Sequence, residues 1–259
     1  MKFGCFCFAS QIPVIKSVGF DSAELDISEI MRMSDQEYDE FKRRAMDVGL
    51  GYEVFSGLIP LTERIYSEAF EIEYWIDYAK RVAERIKALG AVIVPFGAGK
   101  CRSIPDDCKD VMFVKNKVLE LVRGISDVFN NYGISFVIEP LGKAYSNYIN
   151  TIGEAVEFVK TVERDNCMVM CDLRHMYSLG EGMDDIIKYR EYILHAHIDY
   201  PKGSYRYFPK SYDGFDYQPY LNALKGAGYK GLITIEATEF DDLQSEASEA
   251  LKLLKFFCI

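Results

Sequence analysis

Four residues in this chain combine the right type with the right spacing to hold a cation and move a proton. Glu139 ends Ser-Phe-Val-Ile-Glu, Asp172 ends Met-Val-Met-Cys-Asp, His197 lies in Ile-Leu-His-Ala-His-Ile, and Glu236 ends Leu-Ile-Thr-Ile-Glu. Each follows an apolar run, and successive members are 33, 25 and 39 positions apart, about one strand-plus-helix unit. Three carboxylates brought together without compensation repel one another and raise each other's pKa, so a bound divalent cation is the natural way to keep them ionised. Oxygen-rich ligation with one imidazole suits manganese, magnesium, cobalt or zinc. Taken singly, a carboxylate at a strand end is as readily the N-cap of the next helix. Four in series favour convergence.

Other polar residues fall near the same strand ends. His195 and His197 are two apart and face the same side of a strand, so one is expected as a ligand and His195 as a structural neighbour, hydrogen-bonded lower down. His175 follows Asp172 by three residues and is expected in the loop above that strand, where it would meet a substrate hydroxyl or solvent. Arg206 and Lys143 are expected in loops on the same rim, where a cation would orient substrate oxygens.

The elements that must present these residues are legible as alternation. Strands are predicted at Lys2–Phe8, Ser22–Asp26, Tyr52–Leu58, Ala91–Phe96, Ile134–Glu139, Cys167–Asp172, Ile193–Ile198 and Leu232–Glu236. Most are compact apolar runs of the kind buried on both faces of a parallel sheet. Helices are predicted near 35–48, 70–89, 109–132, 151–164, 182–191, 216–228 and 240–257. The segment from Phe70 to Leu89 is the clearest, with Ile72, Trp75, Ile76, Ala79, Val82, Ala83, Ile86 and Leu89 at three- and four-residue steps and Gly90 ending it. Eight strands alternating with helices, in a chain close to the roughly 250 residues such a fold uses, predict a closed (β/α)₈ TIM barrel as one domain over residues 1–259. No glycine-rich G-x-G-x-x-G turn follows the first strand to favour an open doubly wound sheet. In a barrel, consecutive strand ends share one rim, which is where the four residues would meet.

Composition narrows the partners. The 259 residues are 49% hydrophobic and 27% charged, with a formal net charge of −10 and no basic cluster beyond Lys42-Arg43-Arg44, so a nucleic-acid partner is not expected. Seven cysteines, an odd number without C-x-x-C spacing, fit reduced thiols in a cytoplasmic protein. The amino terminus reads as a first strand without the core and cleavage site of a signal peptide, and no apolar run approaches the roughly 20 residues needed to span a membrane.

Several motifs together resemble the xylose isomerase-like barrel superfamily, and within it the sugar isomerase/epimerase branch that includes ketose 3-epimerases, hydroxypyruvate isomerase and inosose dehydratase. They are Ile138-Glu139-Pro140-Leu141 with Ser146-Asn147 and Asn150-Thr151, then Asp172-Leu-Arg-His175-Met, and His195-Ala-His197-Ile-Asp199 with Arg206, Pro209 and Gly214-Phe-Asp216-Tyr. Gly97-Ala-Gly99-Lys-Cys-Arg102 and Gly228-Tyr-Lys-Gly231-Leu-Ile-Thr-Ile-Glu236 complete the likeness, which is strongest from residue 91 onward. The resemblance implies that Glu139, Asp172, His197 and Glu236 bind one metal ion and that Glu139 and Glu236 also move the proton alpha to a carbonyl, through an enediolate. It implies that Arg206 holds a small sugar or polyol-derived ketone, and that the chain forms a homodimer.

One position departs from the pattern. Six residues after Glu139, where the epimerases commonly carry a second glutamate, this chain has Tyr145, which supplies no carboxylate. Two alternatives therefore stand beside isomerase or epimerase: a lyase like inosose dehydratase, sharing the first proton abstraction, and a non-catalytic barrel that binds sugar or metal. A repair endonuclease on the same barrel would need several more histidines than the three present.

Overall fold

Buried β-branched and aromatic runs make the strands, and their order closes a ring. The computed structural model describes residues 1–258. Eight parallel strands pair in sequence order, with β1 (Lys2–Cys7) closing on β8 (Leu232–Ile235). Between them run β2 (Ser22–Asp26), β3 (Gly51–Ser56), β4 (Ile93–Phe96), β5 (Ser135–Ile138), β6 (Cys167–Asp172) and β7 (Ile193–Ile198). All eight predicted strands are present. β3 stops two residues short of its predicted end because Gly57, at φ 82°, turns the chain out of extended geometry. Glu139 and Glu236 each lie one residue past the end of their strands.

Among the described residues, ten α-helices surround the ring. The predicted ones are α3 (Asp35–Val48), α4 (Ile72–Lys87), α5 (Val111–Asn130), α6 (Ile152–Val162), α8 (Asp184–Lys188), α9 (Gln218–Gly226) and α10 (Leu243–Cys258). Their starts follow capping chemistry: Ser34 and Glu37 form a reciprocal box on α3, Asp110 accepts from Phe113 N–H, and Thr151 accepts from Glu154 N–H. In α4 the predicted stripe is the buried one, Trp75, Ala79, Val82, Ala83 and Ile86, and each large member contributes about 1.5–3 kcal/mol by leaving water. Trp75 is core, stacked on Phe70.

Three helices lie outside the predicted set: α1 (Ile12–Val18), α2 (Ile27–Arg32) and α7 (Leu173–Leu179). Each has only six or seven residues, too short to display a 3.6-residue period. Helix α7 corrects the placement of His175, which sits in its first turn and not in a loop. The cause is Asp172, whose Oδ1 accepts from His175 N–H as the N-cap. Among the described residues no helix is long and apolar enough to cross a membrane.

Candidate metal centre

The ring brings the four predicted residues to one point. One ligand atom each from Glu139, Asp172, His197 and Glu236 fall within 4.8 Å of one another. Nδ1 of His197 lies 3.1 Å from Glu236 Oε2, 3.8 Å from Glu139 Oε1 and 3.9 Å from Asp172 Oδ2. Asp172 divides its oxygens, one capping α7 and the other facing the cluster, so the capping and site readings of this residue both hold.

The donor set fits a divalent cation. Nδ1 of His197 is buried and has no hydrogen-bond partner, which a polar group does not tolerate unless a partner arrives. Three carboxylates and one imidazole at the mouth of a barrel are the oxygen-rich set suited to such ions. Burial pushes the Asp172 carboxyl up, but His175, Arg206 and His197 more than reverse this and hold it below the usual carboxylate range. Burial likewise opposes charge on Glu236, and Arg206 and His197 outweigh it.

His175 and Arg206 stand beside the cluster. Nε2 of His175 is 3.5 Å from Glu139 Oε1 and 3.4 Å from Arg206 Nη2. The side chain is almost fully buried, so it is no surface histidine. Arg206 Nη1 reaches Glu236 at 2.6 Å, Asp199 at 3.3 Å and Asp172 at 3.5 Å. Its backbone carbonyl accepts from Thr238 and Glu239 N–H, which ties the loop after β7 to the segment after β8. Tyr145 packs edge-on against His175 with ring centroids 4.9 Å apart, and the Arg206 guanidinium lies 6.0 Å from its ring. Lys143 does not join them: it is exposed on the loop after β5 and is not among the residues lining the cavity.

That cavity, about 510 Å³, opens onto Glu139, His175, His197, Arg206 and Glu236. Its volume lies in the range of small-molecule sites. Leu58, Ile59, Pro60 and Leu61 from the loop after β3 form an apolar wall. A groove of about 790 Å³ beside α5 and α6 is larger but gathers no comparable set of ligand atoms.

Several supports were not assigned from the sequence. Glu24 in β2 is fully buried beneath the cluster, bonded to His195, His197 and Ser56. His195 thus takes the structural place expected of it. Arg102 is fully buried and donates to the carbonyls of Phe96, Glu139, Tyr148 and Ile149. Burial pushes its guanidinium down to about 10, with Glu139 pulling the other way. Arg174 pairs with Asp199 at 2.7 Å and also donates to the carbonyls of Tyr200, Gly203 and Tyr205, holding the loop that carries Arg206. Gly97 leaves room for a ligand: a Cβ there would overlap Glu139 Oε2.

Residues 12–257 match the family model described as xylose isomerase-like TIM barrel. An inosose isomerase of Halalkalibacterium halodurans is 28% identical over 151 residues, 55% of this chain and 53% of that protein. A D-psicose 3-epimerase of Agrobacterium fabrum is 27% identical over 188 residues, 70% of this chain and 63% of that protein. The chain thus aligns with about half to two-thirds of the length of these curated relatives. A crystal structure of a D-psicose 3-epimerase in the presence of D-fructose superposes over 100% of this chain and 99% of its own, with a TM-score of 0.85 at 20% identity.

Proposed function

Because the chain belongs to the xylose isomerase-like TIM barrel family, we propose that it is a divalent-metal-dependent sugar isomerase or epimerase. The observation that carries this reading is the convergence of Glu139, Asp172, His197 and Glu236 on the partnerless Nδ1 of His197, at the cavity. The names of the relatives, inosose isomerase and D-psicose 3-epimerase, support a small polyhydroxylated ketone as substrate.

Manganese, magnesium, cobalt or zinc bound there would supply Lewis acidity, polarising the substrate carbonyl and acidifying the neighbouring C–H. The chain's own residues do the rest. Glu139 and Glu236 come from β5 and β8, three strands apart around the ring, so their carboxylates approach a substrate carbon from different directions. One takes the proton from the carbon next to the carbonyl, leaving an enediolate, and the other delivers a proton to the opposite face. His175 and Arg206 orient substrate oxygens beside them, and the segment from Leu58 to Leu61 lines the cavity with apolar side chains.

Tyr145 favours a second reading on the same site. A phenol packed on His175 gives the cavity a neutral proton donor, and a hydroxyl protonated as it leaves would turn the shared first step into a dehydration.

The test is incubation of the metal-loaded protein with a panel of ketoses and inososes in D₂O. Deuterium at the carbon alpha to the carbonyl, with an epimer or isomer as product, supports the proposal; a dehydrated product supports the lyase. Glu236→Gln should lower exchange by at least about 10³-fold while the protein stays folded. Full exchange in that variant contradicts the role of Glu236, and no exchange with any ketone leaves a binding barrel.

A further inference from the structure

We propose that Glu24 is a positioning residue for the metal: its carboxylate holds His197 with the proton on Nε2 and so commits Nδ1 to the cation. The inference rests on the metal-centre reading above and adds a residue from β2, a strand that carries none of the four candidate ligands.

Nε2 of His197 is 3.1 Å from both oxygens of Glu24, and Nε2 of His195 is 3.1 Å from Oε2. The Ser56 hydroxyl donates to Oε1. A carboxylate only accepts, so each imidazole must present its proton to Glu24 through Nε2. With that proton fixed, the lone pair a neutral His197 offers a metal is on Nδ1, the atom that faces Glu236, Glu139 and Asp172 and has no partner of its own.

The surroundings allow little else. Glu24 and His195 are wholly buried and His197 nearly so. The two imidazoles meet edge-on with centroids 4.8 Å apart, which restrains rotation of either ring. Above them, the Tyr220 hydroxyl donates to the carbonyl of His197 and fixes the backbone of β7 at the ligand. A histidine that donates its second ring N–H to a carboxylate is both oriented and made a better ligand.

Glu24, His195 and His197 also meet the geometric requirement for a metal cluster of their own. Their separations of 3.1 Å are those of hydrogen bonds, and His197 would have to serve two ions at once. Counting bound ions separates the two arrangements.

The experiment is calorimetric titration of metal-free wild type and Glu24→Gln with Zn²⁺, together with long-range ¹⁵N–¹H spectra of the three histidines in the zinc-loaded wild type. The proposal predicts about one zinc per chain and a His197 that keeps its proton on Nε2. It also predicts affinity weakened by about 10- to 100-fold in Glu24→Gln. His197 protonated on Nδ1, unchanged affinity in Glu24→Gln, or a second zinc that Glu24→Gln removes would each overturn it. If Glu24→Gln fails to fold, the wild-type spectrum decides alone. Absence of zinc binding in wild type overturns the metal-centre reading and this inference together, whereas zinc bound equally well by wild type and Glu24→Gln overturns only the role of Glu24.

Discussion

Arg206 Nη1 lies 2.6 Å from Glu236 Oε2, and the same guanidinium is within 3.5 Å of Asp172 and Asp199. It supplies much of the positive charge that lets these acids share a buried site. A divalent cation would take over that compensation, but it would also feel repulsion from Arg206 across a few ångströms. Arg206→Gln should therefore act in opposite directions on two measurements. Urea unfolding of the metal-free variant should show a loss of about 3–5 kcal/mol, while metal titration should show affinity tightened by about threefold or more. Weaker metal binding in Arg206→Gln would mean that the arginine organises the ligands more than it repels the ion.

Gly97→Ala tests the space reserved for Glu139. The added methyl would fall on Glu139 Oε2, and the carboxylate must swing away. Metal affinity should drop by about tenfold or more, with thermal stability close to wild type because only the end of one side chain is displaced. An unchanged affinity would show that Glu139 tolerates another rotamer.

Arg102 tests the frame behind the site. Its guanidinium satisfies four carbonyls from the end of β4, from Glu139 itself and from the loop before α6. Ile149, one of those acceptors, holds φ at 61°, unusual for a β-branched residue, and the arginine helps keep it there. Arg102→Ala should cost about 3–5 kcal/mol in denaturant unfolding, since it strands several buried acceptors at once. A loss under about 1 kcal/mol would mean that water replaces the guanidinium.

The cysteines give a chemical count. All seven are free thiols, and only Cys108 and Cys258 are not buried. Burial pushes Cys7, Cys101, Cys167 and Cys171 up to about 12 and raises Cys5 well above the usual thiol range, so at pH 8 each is almost wholly in the unreactive thiol form. Titration of the native protein with an aromatic disulfide reagent should release two fast equivalents, and denaturation should expose the other five. More than two fast equivalents would mean that the barrel opens on the timescale of the reaction.

How far the sequence carried depended on how local each signal was. The strands of Glu139, Asp172, His197 and Glu236 stood out because a buried parallel strand is an apolar run, and a charged residue at its end is conspicuous. Glu24 was hidden by the opposite circumstance. In Ser-Ala-Glu-Leu-Asp the polar residues alternate with apolar ones, which reads equally well as a strand with one face in water. Only closure of the ring turns that face inward, onto His195 and His197 of β7, and closure is a tertiary event. Arg102 was visible as part of a motif, but its role depends on carbonyls drawn from positions 96, 139, 148 and 149. Helix α7 escaped because Asp172 starts it while also serving the site, and seven residues carry too little periodicity to announce a helix.

The most direct measurement is the metal content of the purified protein, determined by elemental analysis on wild type and His197→Ala side by side after reconstitution with manganese, cobalt, magnesium and zinc. The account predicts about one equivalent of divalent metal in wild type, lost in the variant while its circular dichroism shows the barrel intact. Wild type that takes up none of the four ions, or a folded His197→Ala that retains its metal, would contradict the centre built from Glu139, Asp172, His197 and Glu236.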